Sequence, residues 1–493
     1  MHPLIQEISN SLSPEQLVKR LHDAGGVMLL RSLNPSGAGA ASGSVEISSA
    51  RYSFVVANPF LTFRSFGSQC EVTRQDLRTS QTQFGNPWHL LDSLMARYEL
   101  LEEIDLPFPL GGCFGYWGYD LRNFVEPKLR RRAVNDLELP DCHVGFYDCV
   151  VAFDHQLGKV WIVSTGLNAD GSRSEVRARE RLEWWVEKLR AAGENSSAGP
   201  GERTAGCGTT FISNLSREDF IARVVRAQKY IRSGDIYQVN LSHRLSTELR
   251  ISGWELFEKL SAISPAPFAA FLDCDDFQIA SSSPEQFLRV SGSHIRTRPI
   301  KGTRPRSVDA IRDAQLSYEL QTSAKEMSEL VMITDLLRND LGRVCEYGSV
   351  QVPDLARLEK FAHVQHLVST VEGRLRRDVT HFAAFASCFP GGSITGAPKI
   401  RAMEIIDELE PISRGPYTGA LGYLGFNRES QLSIIIRTAI CKDGRAHFNV
   451  GAGIVADSNA EAEYEETLAK ARGFVGAIDQ LVFKKRSAST SLR

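Results

Sequence analysis

The chain lacks the markers of a secreted, membrane-spanning or zinc-stapled protein. Nine cysteines are scattered through 493 residues without a single C-x-x-C pair. The two nearest in sequence, Cys142 and Cys149, lie seven positions apart, which offers neither a zinc ribbon nor a disulfide framework and makes reduced thiols the expectation. No run of about 18 apolar residues occurs. The opening MHPLIQEISNSLSPEQ has no basic segment followed by an apolar core, so neither an anchor nor an export signal is expected and a cytoplasmic location is. Net charge is almost absent, at -2 from 57 Lys and Arg against 59 Asp and Glu, which excludes a polyelectrolyte surface built for DNA or an anionic membrane. Internal repeats of 20 to 50 residues are also missing, which argues against a solenoid.

What is present is an ordinary globular composition, 42% hydrophobic and 24% charged, long enough for about three domains by the length prior. One compositional break stands out: AAGENSSAGPGERTAGCGTT, residues 191–210, reads as a flexible linker. It separates an N-terminal region, 1–190, from a region 211–480, and 481–493 is expected to be a disordered tail. Before the linker, RYSFVVA, YDCVVAFD and KVWIVST read as strands and RSEVRARERLEWWVEKLRAA as an amphipathic helix. After it, helical periodicity at 216–233, 319–338, 398–409 and 460–480 is mixed with strand-like FAAFLD, FLRVSG, GALGYLGF, LSIIIRTAI and AHFNVGAG. The order follows no strict βαβ rhythm, so the expected class is α+β, with antiparallel sheets and flanking helices.

Several stretches hold chemistry. RTRPIKGTRPR places Lys301 between a proline and a glycine and among Arg296, Arg298, Arg304 and Arg306. Taken alone it fits a wetted loop, a phosphate hook or a nucleophile; a nucleic-acid patch is disfavoured because no aromatic residue interleaves the cations. Glu326 and Glu329, and again Glu463 and Glu466, are three apart in helical stretches. Facing ridges of this kind would present oxygen-only ligands suited to Mg²⁺, while a single one is also the pattern of a solvated helix face. In GGSITGAPK the glycines at 391 and 396 have P-loop spacing, but Ala397 and Pro398 stand where Lys and Ser/Thr belong, so a nucleotide site is rejected. A capped turn remains, with Ser393 or Thr395 as cap and helix N–H groups able to face a carboxylate. Arg437, in the apolar IIIRTA, needs an anion, either an internal carboxylate or one on a substrate.

DIYQVNLSHR, SSSPEQF, RPIKGTRPR, MITDLLRNDLGRV, HLVSTVEG, PGGSITGAPKIRAMEIIDELEP, GYLGF and GAGIVADSNAEAEYEET together resemble, in order, the signature of the chorismate-utilising enzymes. The resemblance covers 211–480 densely; MLLRS, ARYSFVVANP and LPFPLGGCFGYWGYDL extend it more loosely to the N-terminal region. It implies one large unit of two orthogonal antiparallel β-sheets forming a sandwich, with helices outside. Within the family, PIKGT resembles the branch that aminates chorismate to 4-amino-4-deoxychorismate, the aminodeoxychorismate synthase component I proteins, whereas the anthranilate synthase branch carries alanine at the lysine position.

The resemblance then implies roles. Lys301 is the nucleophile and Glu285 the acid for the departing hydroxyl; Glu329 and Glu466, with Glu463 close by, hold Mg²⁺. Gln238, Gly302, Thr303, His366, Lys399, Tyr417, Arg437, Gly451, Ala452 and Gly453 bind chorismate. Four arginines crowding Lys301 would favour its free amine if they approach it in space. Gln238 stands where water-adding relatives place a lysine base, and an amide cannot abstract a proton. A tryptophan pocket is expected from Ser32, Arg51, Tyr52, Ser53, Phe54, Pro267, Phe268 and Ala269, with L-tryptophan a possible ligand. GGCFGYWG around Cys113 only superficially echoes a glutaminase elbow, so ammonia is expected from a separate glutamine amidotransferase subunit in a heterodimer. An anthranilate synthase component I and a non-catalytic, tryptophan-sensing subunit are the alternatives.

Overall fold

A computed structural model describes residues 2–9, 12–32, 51–75, 79–100, 106–190, 210–361 and 364–487, the last eight as backbone alone. The expected linker therefore lies outside the described residues except for residue 210, and the final helix runs through Ala460–Ser487, so the first part of the expected tail is helical.

The strands form two twelve-stranded sheets, and every pairing between them is antiparallel. The first sheet runs in space as Leu4–Ile8, Lys159–Ser164, Cys149–Asp154, Tyr52–Val56, Met28–Arg31, Phe268–Asp273, Phe277–Ser283, Thr438–Lys442, Arg445–Ile454, Gln238–Glu248 and Ile212–Ser213, with Gly396–Ala397 added against Gln238–Glu248. The second runs as Ile300–Pro305, Val364–Arg374, His294–Arg298, Gln286–Ser291, Glu429–Ile434, Ala420–Gly425, Gly112–Trp117, Cys142–Tyr147, Leu61–Phe66, Gln69–Arg74 and Thr79–Phe84, with Gln351–Lys360 also pairing on Val364–Arg374. Each sheet takes strands from both sides of the linker. The two sequence regions are thus halves of one sandwich, as the antiparallel α+β expectation requires.

Alternation explains why so many strands are buried along their whole length. In Cys149–Asp154, Val150 and Ala152 join the cluster that includes Phe63, Phe114, Phe146 and Trp117 of the second sheet. Val151 and Phe153 face the other way, into a cluster with Trp185, Leu256, Phe257 and Phe474 on flanking helices. A strand buried on both faces must be apolar at every position, and VVAF is. Each fully buried phenylalanine in the central cluster contributes about 1.5–3 kcal/mol relative to exposure.

Three sequence expectations change. LSIIIRTAI is not one strand: Glu429–Ile434 belongs to the second sheet and Thr438–Lys442 to the first, and the chain turns between them at Arg437, whose φ is +50°. The helix expected at 319–338 is two, Ala310–Gln321 and Ala324–Gly342, because Ser323 caps the second by accepting from the Glu326 N–H. RTRPIKGTRPR is not a loop but two strands, His294–Arg298 and Ile300–Pro305, separated by Pro299.

Candidate active site

A cavity of about 590 Å³ opens where the sandwich meets the helices Ala324–Gly342 and Ala460–Ser487. Two corners of the chain build one wall. Phe277–Ser283 lies in the first sheet and Gln286–Ser291 in the second, so the chain changes sheets at Pro284 and Glu285; it changes back at Arg437. The corners are tied together: Ile434 N–H donates to Glu285 O (3.1 Å), Ser282 N–H to Arg437 O (3.0 Å) and the Ser283 hydroxyl to Ile434 O (2.6 Å). Both side chains line the cavity.

Glu285 is buried, and burial pushes its carboxyl up to about 7 even though a Ser393 hydrogen bond, the Lys301 charge and the Ile300 amide favour the carboxylate. It is therefore a group that can hold a proton near neutrality. Arg437 is the opposite case. Burial lowers its affinity for a proton, and no carboxylate among the described residues lies within ion-pair distance of its guanidinium. Of the two anions left open by the sequence, the internal one is thus missing among the described residues.

Lys301 lies on Ile300–Pro305, where the pairing with Val364–Arg374 shifts between Lys301 and Thr303. Gly302, at φ +66°, takes up that irregularity in the conformation that glycine adopts most readily. A Cβ there would stand 2.6 Å from Leu320 Cδ1. The lysine points into the cavity, its Nζ 3.5 Å from Glu329 Oε2. Of the four arginines expected to crowd it, Arg304 alone lines the cavity with it, and three carry partners of their own. Arg298 pairs with Glu359, Arg304 with Glu326 at 3.4 Å and Arg306 with Asp313 at 2.8 Å. The nearest opposite charge to the amine is a carboxylate, and like-charge repulsion by that cluster is withdrawn as its activating force.

Glu326, Glu329, Glu463 and Glu466 all line the cavity, from the two helices the sequence singled out. Glu463 accepts from the Ser458 hydroxyl at 2.7 Å, and burial raises its carboxyl above the usual range. Burial pushes Glu466 the same way, but Lys470, 2.7 Å from its Oε1, together with Lys325 and Lys301 outweighs it and the net shift is downward. No three His, Cys, Asp or Glu side chains among the described residues converge on one point. The donors fit a hard cation that takes one or two protein carboxylates and completes its shell with water and substrate oxygen.

The remaining expected ligands divide. Thr303, His366, Tyr417, Gly451 and Gly453 line the cavity. His366 Nδ1 lies 2.9 Å from Thr303 Oγ1, and burial with Arg437 nearby lowers the imidazole to about 4, so it is neutral at pH 7. Burial raises Tyr417 to about 12, keeping its hydroxyl protonated. Ala452 points away, into a cluster with Leu241 and Ile406, because strand residues alternate. Gln238 is a buried side chain beside the cavity; its Nε2 would lie 2.6 Å from a Cβ at Gly453, a point 3.8 Å from Lys301 Nζ. Lys399 does not line the cavity: its amine is 2.6 Å from Asp340 Oδ2 and 3.2 Å from Cys388 O. Nor does the helix Lys399–Leu409 place a residue among those lining the cavity. Its N-cap is Pro398 without a side-chain cap, and the glycine turn supplies Ser393, the partner of Glu285.

Lys325, Lys470 and Asn240 also line the cavity and were missed. Lys470 could have been found, since it sits four residues after Glu466 on one helix face.

The expected tryptophan pocket has the right walls and little room. Ser32, Tyr52, Phe54, Pro267, Phe268 and Ala269 do surround a cavity, but of about 30 Å³, space for one or two waters. Tyr52 and Phe54 pack with Phe108 and Tyr423 across it. Arg51 and Ser53 lie outside, Arg51 on Asp154 and Ser53 Oγ 2.6 Å from His155 Nε2.

The family model described as chorismate binding enzyme matches residues 50–476. Anthranilate synthase component 1 from Acetivibrio thermocellus is 39% identical over 87% of this chain and 87% of its own. Aminodeoxychorismate synthase component 1 from Escherichia coli K12 is also 39% identical, over 87% of this chain and 90% of its own. Among solved structures, anthranilate synthase component I from Streptococcus pneumoniae superposes with a TM-score of 0.76 at 30% identity, covering 95% of this chain and 99% of that one.

Proposed function

The chain belongs to the chorismate binding enzyme family, and on that premise we propose that it is the synthase subunit of an aminodeoxychorismate synthase, converting chorismate and ammonia to 4-amino-4-deoxychorismate. Relatives of two kinds are equally similar, so overall identity does not choose between them. The observation that carries the reading is the Lys301 amine inside the cavity, between Glu329 and the corner that holds Glu285.

Chorismate carries two carboxylates and a 4-hydroxyl that leaves poorly. The Lys301 nitrogen adds to C2; the C1–C2 double bond moves to C1–C6, the C5–C6 double bond to C4–C5, and the C4–O bond breaks. Glu285 gives the leaving oxygen its proton, which its raised affinity suits it to hold. Ammonia then adds at C4, the double bonds return and the lysine leaves from C2, so two accessible steps replace one hard displacement. Arg437 supplies the unpaired cation for one substrate carboxylate. Glu329 and Glu466, with Glu463 beside them, would hold Mg²⁺, which when bound supplies positive charge to the ring carboxylate.

A separate glutamine amidotransferase subunit supplies the ammonia in this reading. All eight cysteines among the described residues are buried free thiols, and burial pushes the Cys113 thiol well up, which disqualifies it as a glutaminase nucleophile. Glutamine-dependent turnover by the single chain would contradict this. The decisive test is intact-protein mass spectrometry after incubation with chorismate and Mg²⁺ but no ammonia. The expected result is an adduct of chorismate less water on the wild type and none on Lys301→Ala; an unmodified wild type, or adducts on both, refutes the lysine route. With ammonium present, fluorescent anthranilate as the main product would assign the chain to the anthranilate synthase branch instead.

A further inference from the structure

Arg414 and Glu410 line no part of the cavity and are only 4% and 6% exposed. Their side chains form a bidentate pair, Arg414 Nε donating to Glu410 Oε2 at 2.8 Å and Nη2 to Oε1 at 2.7 Å. The other three guanidinium N–H groups are used as well: Nη2 donates to Asn240 O (2.7 Å), and Nη1 to Ile394 O (3.1 Å) and the Thr418 hydroxyl (3.2 Å). That accounts for all five donors of an arginine. Glu410 Oε1 also accepts from the Ser242 N–H (2.8 Å) and hydroxyl (3.0 Å), and the Tyr119 ring centre lies 4.7 Å from Arg414 Cζ.

Each of the three further acceptors belongs to the cavity wall or adjoins it. Asn240 lines the cavity from Gln238–Glu248. Ile394 lines it too and follows Ser393, the partner of Glu285. Thr418 follows Tyr417, which lines it, and its hydroxyl donates onward to Tyr417 O at 2.6 Å. Two of these segments are also tied to each other, Asn240 N–H donating to Thr395 O (2.8 Å) and Asn240 Nδ2 to Ile394 O (3.2 Å). For stability alone a buried ion pair is no better than apolar side chains of the same volume. What an apolar side chain cannot do is fix three separate segments by hydrogen bonds of defined direction.

We propose that Arg414, held in place by Glu410, is a positioning residue for the reaction, setting Ser393 against Glu285 and Asn240 and Tyr417 against the substrate. The inference rests on the reading of Glu285 as the acid. The Ser393 hydrogen bond favours the Glu285 carboxylate, and Lys301 is the charged group whose field reaches it. Loss of that hydrogen bond raises the affinity of Glu285 for its proton. Since the protonated form is the acid, the decline of kcat/KM above about pH 7 then moves to higher pH.

Ser393→Ala is expected to show this upward shift directly. Arg414→Lys keeps the charge beside Glu410 but cannot reach two carbonyls and a hydroxyl together. It is expected to show the same shift, with kcat lower by about 10²-fold, the cost of misplacing a reacting group by about 1 Å. Combined with Ser393→Ala it should move the profile no further. A smaller folded fraction would scale the whole profile and shift nothing. Should Arg414→Lys not fold, Glu410→Asp, which keeps both charges and draws the carboxylate back by one methylene, carries the same expectation. A profile left in place by Ser393→Ala, by Arg414→Lys or by its Glu410→Asp substitute, or one shifted further in the double variant, overturns the proposal. A wild type without the alkaline decline overturns the reading of Glu285 itself, and this inference with it.

Discussion

Replacing Glu285 by Gln is expected to make the protein more stable and less active at the same time, with a pH signature that separates the two. The carboxyl is 7% exposed and is raised from an ordinary 4.5 to about 7 by burial. At 1.36 kcal/mol per pH unit, ionising it inside the fold costs about 3 kcal/mol. Because the folded-state value is the higher one, the native protein binds more protons than the unfolded chain between pH 4.5 and about 7. Stability therefore falls as pH rises through that window and levels off above it. Glutamine is neutral throughout. The Gln variant should match the wild type near pH 4.5 and exceed it by up to about 3 kcal/mol at pH 8, measured by guanidinium unfolding followed by tryptophan fluorescence. In the ammonia-dependent assay the same variant should lose about 10²–10⁴-fold in rate, the usual contribution of a positioned acid. Wild-type kcat/KM should decline above about pH 7 as the carboxyl ionises. A stability difference that does not vary with pH would refute the burial account, and a Gln variant with full activity would refute the role.

Arg437→Met removes a charge-assisted contact worth about 1.5–3 kcal/mol, so kcat/KM for chorismate should fall about 10- to 100-fold; an unchanged value in steady-state kinetics would mean that the cation is met by something other than substrate. Gly302→Ala forces a Cβ to 2.6 Å from Leu320 Cδ1 at a φ of +66°; it should cost about 1–2 kcal/mol and displace Lys301, visible as a lost mass-spectrometric adduct as well as a lower unfolding midpoint. Lys399→Met leaves Asp340 buried without its partner, which should cost about 3–5 kcal/mol in denaturant unfolding while leaving KM for chorismate within about twofold, since the group does not reach the cavity. L-Tryptophan should give no binding heat in calorimetry, because its side chain exceeds the roughly 30 Å³ between Tyr52, Phe54 and Pro267; saturable binding would show that this pocket opens.

The carboxylates on the two helices were legible because helical spacing at Glu326 and Glu329, and at Glu463 and Glu466, survives whatever the helix packs against. Lys301 and Glu285 came from motif resemblance, and nothing local in RPIKGT or SSPEQ distinguishes a cavity-lining side chain from a turn residue. The charge reasoning about Lys301 failed for a definable reason. Four arginines close in sequence on two strands that each pair with Val364–Arg374 need not share a face or lack partners, and here Glu359, Glu326 and Asp313, all distant in sequence or on the next helix, claim three of them. The partner of Lys399 was hidden in the same way, since Asp340 lies 59 positions away.

The hardest feature to read was the strand that is not one. LSIIIRTAI has the apolarity of a strand buried on both faces, and apolar runs do not record which of two stacked sheets they belong to, because both share one core. The break is marked only by an arginine among isoleucines, and its positive φ is uncommon for a residue with a side chain. Glu285, too, lies at a point where the chain changes sheets, two residues after Ser283 leaves the first sheet. A side chain in the interior of a strand must fit the packing of one face, whereas a residue at a corner is free of the alternation and can project into the gap where the sheets part. A charged residue interrupting an otherwise fully apolar run in a two-sheet protein is therefore better read as a corner facing a cavity than as an ion buried in a core, and Arg437 meets that reading: cavity-lining, at a change of sheet, and with no carboxylate of the described residues in reach.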